Sequence, residues 1–159
     1  MPLDRFLTYR LHLVNKLTDH ATAAAYGREF ALPLGEARCL AAIGNAERLG
    51  GGSGTRLVPV SVTALATEAN LTKSQASRAA QGLANRGLAA KSASATDGRG
   101  VTLALTPPGR RLWRRVMRLI ARRNREIFGC LTNTEQQQFG ALLNRLIEAA
   151  KTQGGARDA

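Results

Sequence analysis

The stretch from Ser61 to Gly87 constrains the fold more than any other part of the chain. Ser61 is a good N-cap for a short helix over Val62–Ala69, with Leu65 and Ala66 on its inner side. Asn70-Leu71 makes a tight link to a second start at Thr72. There Thr72-Lys73-Ser74-Gln75 has the form of a capping box, the hydroxyl serving the backbone of Gln75 and the Gln75 side chain reaching back. At about 100° per residue, Ala76, Ala79, Ala80 and Leu83 share one face, with Ser74, Ser77, Arg78, Gln81 and Asn85 almost opposite. Two short helices joined this closely predict a helix-turn-helix, because small inward alanines let the helices approach. Gly82 costs about 1 kcal/mol against Ala in a helix interior, which predicts close packing at that point.

The outward face of the second helix is chemically unusual. A merely solvated face alternates Glu with Lys, yet no acidic residue occurs from Thr72 to Gly87. Arg can bond guanine in two places, Gln or Asn can pair with adenine, and Ser can reach bases or phosphates, so this face suits a major groove. Gly87 fits the position that ends the helix. Leu88–Ala93 and Gly100–Leu105 then read as two short strands around a turn tipped by Ala95-Thr96-Asp97-Gly98-Arg99. The Asp97 carboxylate could hold the Arg99 guanidinium in one orientation for a narrow, negative minor groove. An ordinary Asp-Gly turn with a surface ion pair fits the same spacing.

Four further segments surround this unit. Asp4 to about Tyr26 reads as an amphipathic helix, with Phe6, Leu7, Leu13, Val14 and Leu17 on its apolar side. Arg10 falls in the middle of that side, and Arg5, Tyr9, His12, Lys16 and Asp19 fall opposite. Leu34 to Ala46 is apolar nearly all round and predicts a buried, central helix. The glycines at 50–54 read as a connection, because the Gly-Lys-Ser/Thr ending of a phosphate-binding loop is missing. From Pro107-Pro108-Gly109 a helix of about 20 residues runs to near Cys130, with seven arginines in one sector and Leu112, Trp113, Val116, Leu119 and Ile120 opposite. A last helix begins around Thr134, with Phe139, Leu142, Leu143, Leu146 and Ile147 on one side, and the tail from Thr152 is expected to fray.

Composition narrows the partner. Lys and Arg number 23 against 11 Asp and Glu, a formal net charge of +12, which predicts a polyanion. No apolar run reaches membrane-spanning length and no secretory signal is legible, so the expected location is the cytoplasm and no membrane partner is expected. Cys39 and Cys130 match no metal pattern and are expected to be buried structural thiols, with redox sensing as the alternative. His12 and His20 lack clustered partners, so no metal and no cofactor are expected. No nucleophile with a base and no paired carboxylates can be assembled, so an enzyme is not expected.

Taken in order, these segments resemble the MarR (multiple-antibiotic-resistance regulator) family of winged-helix transcription factors. Val62-Thr63-Ala64-Leu65-Ala66, Gln75-Ala76-Ser77-Arg78 and Leu83-Ala84-Asn85-Arg86-Gly87-Leu88 look like its helix-turn-helix. Asp97-Gly98-Arg99-Gly100-Val101-Thr102-Leu103-Ala104-Leu105-Thr106-Pro107-Pro108-Gly109 looks like its wing and the start of the next helix. Two departures are the longer Gly-rich loop and the glycines at 98 and 100. The resemblance implies a mainly α fold with a small β-wing, a winged helix-turn-helix dimeric through intertwined terminal helices. Residues 1–32 and 110–159 would serve dimerisation and 33–109 DNA binding. It also implies a sequence-specific regulator, a repressor released by a small aromatic or phenolic acid, acting as a homodimer on a pseudo-palindromic double-stranded operator. Thr72, Lys73, Ser74, Gln75, Ser77, Arg78 and Gln81 would meet DNA in the major groove, Lys73 at a phosphate, and Arg99 with Asp97 in the minor groove. Arg10 and Arg123 would be the groups to meet an acidic ligand, an interhelical ion pair being the alternative. A nonspecific basic nucleic-acid-binding protein and a cysteine-based redox regulator are the alternative functions.

Overall fold

The computed structural model describes residues 2–50, 59–93 and 100–155. The chain divides into two compact units, Met1–Ile120 and Ala121–Ala159. The first holds α1 (Leu7–Phe30), α2 (Leu34–Gly50), β1 (Val60–Ser61), α3 (Val62–Glu68), α4 (Lys73–Asn85), β2 (Ala89–Ala93), β3 (Val101–Leu105) and most of α5 (Pro107–Phe128).

Helix α2 is the axis of this unit, as its all-round apolar sequence requires. Ala37, Cys39, Leu40 and Ile43 on it are fully buried, and it packs against α1, α3, α4 and β3. Leu65, Leu83, Leu103, Leu105, Val116 and Leu119 complete the core around it. A Cβ at Gly44 would collide with the Trp113 indole, so α2 and α5 approach closely there. The sheet is antiparallel in the order β1-β3-β2, with Ala89 opposite Leu105 and Ala93 opposite Val101. Strand β1, two residues pairing Val60 with Leu103, was not expected; it is too short to show an alternating pattern. The asparagine at the α3–α4 link, Asn70, has φ +52°, a left-handed conformation that Asn tolerates.

The first helix departs from expectation. A 3₁₀ turn, Leu3–Arg5, precedes it, Phe6 is extended, and α1 proper continues to Phe30, where Ala31 at φ +52° closes it. Its buried residues are Ala25 and Tyr26, at its C-terminal end. Phe6, Leu7, Leu13, Val14 and Leu17 are exposed in the single chain, 42 to 73%. Asp19, placed on the wet side by periodicity, is half-buried against Arg38.

In the second unit α6 (Asn133–Gly155) starts with a capping box at Thr132, whose hydroxyl accepts from the Glu135 backbone while the carboxylate accepts from Thr132 N–H. Those hydrogen bonds hold the Glu135 carboxyl below its ordinary range. The Phe128 and Phe139 rings meet at 6.0 Å. Leu142, Leu146 and Ile147 are exposed. The helix runs past Thr152, where fraying was expected. Cys130 is exposed, contrary to expectation: it follows the last turn of α5, where apolar sequence neighbours do not guarantee cover. Among the described residues no helix is long and apolar enough to cross a membrane.

Candidate nucleic-acid interface

Helix α4 is fixed at both ends by hydrogen bonds its sequence specifies. Ser61 Oγ accepts from Ala64 N–H at 3.1 Å to start α3. Thr72 Oγ1 accepts from Gln75 N–H at 3.2 Å, and Gln75 Oε1 accepts from Thr72 N–H at 2.9 Å, completing the box that starts α4. At the other end Gly87, φ +66°, lets the chain reverse, with Leu88 N–H reaching the Leu83 carbonyl. Thr106 then donates its hydroxyl to the Gly87 carbonyl at 2.6 Å and accepts from Gly109 N–H at 3.2 Å, joining the helix exit to the start of α5.

The helix is also seated from below. Ala76, Ala79, Ala80 and Leu83 are buried. The close packing expected at Gly82 is against Glu36, whose carboxylate a Cβ there would strike. Glu36 forms an ion pair with Arg86 at 3.0 Å, and Arg86 also donates to the Ala31 carbonyl at 3.0 Å, tying the α4 exit to the α1–α2 junction.

This seating leaves the outward face free, and its residues are not equivalent. Lys73, Ser74, Ser77 and Arg78 are exposed and have no intramolecular partner among the described residues. Thr72 and Gln75 are spent on the cap, which leaves the Gln75 amide hydrogens to face outward. Gln81 bridges Asn85 and Lys91, so it links α4 to β2. Asp97, Arg99 and the glycines at 51–54 lie outside the described residues. Of the two arginines assigned to a ligand, Arg10 is exposed and donates to the Asp4 carbonyl, and Arg123 pairs with Glu126 on its own helix.

Sequence reasoning missed Arg38. It pairs with Asp19 at 2.7 Å and lines a cavity of about 430 Å³ together with Tyr26, Asn45, Glu68, Asn70 and Met117. Burial pushes the Tyr26 phenol up, opposed in part by Arg38. The signal was present, since Arg38 interrupts an otherwise apolar run from Ala37 to Ile43. Cys39 is fully buried and its thiol is pushed up to about 11 by desolvation and then by Glu36, which makes it a poor thiolate for redox chemistry. Among the described residues no group of three or more His, Cys, Asp or Glu could hold a metal.

Comparison with known proteins agrees with this architecture. Residues 32–100, which carry α2, α3, α4 and β2, match the model of the MarR family. A search of curated protein sequences finds no match. A MarR family transcriptional regulator from Silicibacter pomeroyi DSS superposes with a TM-score of 0.75 at 24% identity, covering 93% of this chain and 91% of that one. The MepR–DNA complex of S. aureus gives 0.74 at 15% identity over 91% and 98%. PcaV from Streptomyces coelicolor, solved with its natural ligand, gives 0.70 at 22% identity over 94% and 97%. At these identities the structural likeness establishes the fold, a winged helix-turn-helix. The match over 32–100, less than half of the chain, makes this segment similar to the winged-helix core of the MarR family.

Proposed function

We propose that the chain is a homodimeric, sequence-specific repressor that places α4 in the major groove of a pseudo-palindromic operator. The observation that carries this is the exposed, unpartnered row of Ser74, Ser77 and Arg78 on a helix with no acidic residue. Arg78 reads a base edge, Ser74 and Ser77 reach bases or nearby phosphates, and Lys73 takes a phosphate. Thr72 and Gln75 present the capped helix N-terminus to the backbone, Gln81 flanks the groove, and Arg99 with Asp97 serves the minor groove. Residues 33–109 form the DNA-binding part. Residues 1–32 and 110–159 dimerise through the apolar faces left open on α1 and α6. The effector is a small aromatic acid; that a structural neighbour from S. coelicolor is solved with its natural ligand supports regulation by a bound ligand. Of the three arginines considered, Arg38 fits best, because it lines a cavity where an acid could replace Asp19 as its partner; neither Arg10 nor Arg123 lines it.

Gel shifts of the protein with the DNA upstream of its own coding sequence, against random competitor, test the reading. Wild type should prefer the upstream segment strongly, and Arg78→Ala should lose about 1 to 3 kcal/mol of that preference. Equal affinity for both duplexes would favour nonspecific nucleic-acid binding instead.

A further inference from the structure

Helix α5 carries eight arginines, no lysine and one acid, Glu126. At about 100° per residue, Arg111, Arg114, Arg115 and Arg118 fall within one sector of about 100°, and all four are exposed. Arg115 stacks over the Phe30 ring at 5.2 Å. Arg111, Arg114 and Arg118 have no partner among the described residues. Like charges three and four residues apart repel along a helix, and here no acid intervenes to relieve them.

We propose that this face is a second phosphate-binding surface, for duplex DNA outside the part held by α4 and the wing. The proposal rests on the DNA-binding reading above and adds a contact that reading does not contain. Three observations select DNA. Guanidinium forks match phosphate oxygens in two places, and every cation of this helix is arginine. The opposite side of α5, Val116 and Leu119 with Leu112, Trp113 and Ile120, is buried in or packed on the core, so the helix has no free apolar side to insert into a lipid surface. The stripe also begins at the exit of the recognition helix, where Gly109 lies against the Leu88 carbonyl and Thr106 bonds Gly87. DNA that continues past the part engaged by α4, or a second duplex, supplies phosphates to the stripe.

The test compares wild type with the triple variant Arg111→Gln/Arg114→Gln/Arg118→Gln, which removes repulsion and should keep the helix intact by circular dichroism. Three substrates are used: a short footprinted operator duplex, the same operator with long flanks, and the short operator plus an unlabelled random duplex. Wild type should bind the flanked operator at least tenfold more tightly than the short one, or form a ternary complex with the added duplex, and the triple variant should do neither. The slope of log Kobs against log salt on the responsive substrate should fall by about five in a dimer, at about 0.9 per phosphate. Equal losses on short and flanked operator would place these arginines in the ordinary footprint and overturn the proposal. Unchanged binding on every substrate would overturn it as well. If wild type shows no preference for operator over random DNA, the operator reading fails while length dependence on random duplexes still tests this face.

Discussion

Helices α4 and α5 meet at Gly87–Gly109 and present opposite surface chemistry. The 13-residue α4 carries two cations on an exposed face of hydroxyls and amides, whereas the 22-residue α5 carries eight arginines and almost no other polar variety. Hydrogen-bonding variety distinguishes bases, while repeated charge sees only phosphate. Their supports differ in the same sense. Helix α4 is capped at its start, closed by a left-handed glycine and pinned through Arg86 to Glu36 and Ala31, so its side chains are held in register. Attraction by charge tolerates imprecision; base reading does not.

The strongest way to break the comparison is at the junction itself. Gly109→Ala would drive a Cβ into the Leu88 backbone carbonyl, which no rotamer change can relieve. A loss of about 3 kcal/mol is expected, corresponding to roughly 6 to 12 °C in melting temperature for a chain of this size. Unchanged melting would show that the α4 exit and the α5 start are not rigidly joined. Next in size is Arg78→Ala, with about 1 to 3 kcal/mol lost from the preference for operator over random DNA. The α5 triple variant should do the reverse, reducing salt dependence while leaving the preference unchanged. If both variants lowered specific and random binding equally, the division between the two helices would be wrong.

The features legible in the sequence were those set by near neighbours. The cap at Ser61, the box at Thr72, the turn at Gly87 and the inward alanines are all encoded within about four residues of where they act, and the structure contains each of them. What the sequence hid was long-range. Glu36 meeting Gly82, and Arg86 reaching Ala31 across 55 positions, depend on how α2 crosses α4, which no periodicity encodes. Arg38 stood out locally as the one charge between Ala37 and Ile43, but its pairing with Asp19 and the cavity it lines are long-range as well. Arg10 was singled out because periodicity set it on an apolar face, but that face is uncovered in a single chain and the guanidinium simply turns back to the Asp4 carbonyl.

The smallest expected effect separates two roles on one turn of α4. Thr72 and Gln75 stand beside Ser74 and Ser77, yet their oxygens are already committed to each other's backbone N–H groups. Thr72→Ala should therefore cost about 1 kcal/mol of stability, the usual worth of an N-cap, and weaken operator and random DNA by similar factors. Thr72→Ser, which keeps the oxygen, should restore both. Ser77→Ala should leave thermal melting unchanged and lower operator preference instead, because its hydroxyl has no intramolecular partner among the described residues. Chemical denaturation and competition gel shifts on the three variants decide the matter. Were Thr72→Ala to change base preference at constant stability, the cap residue would itself be a reader, and the boundary between support and readout in α4 would move one turn toward its N-terminus.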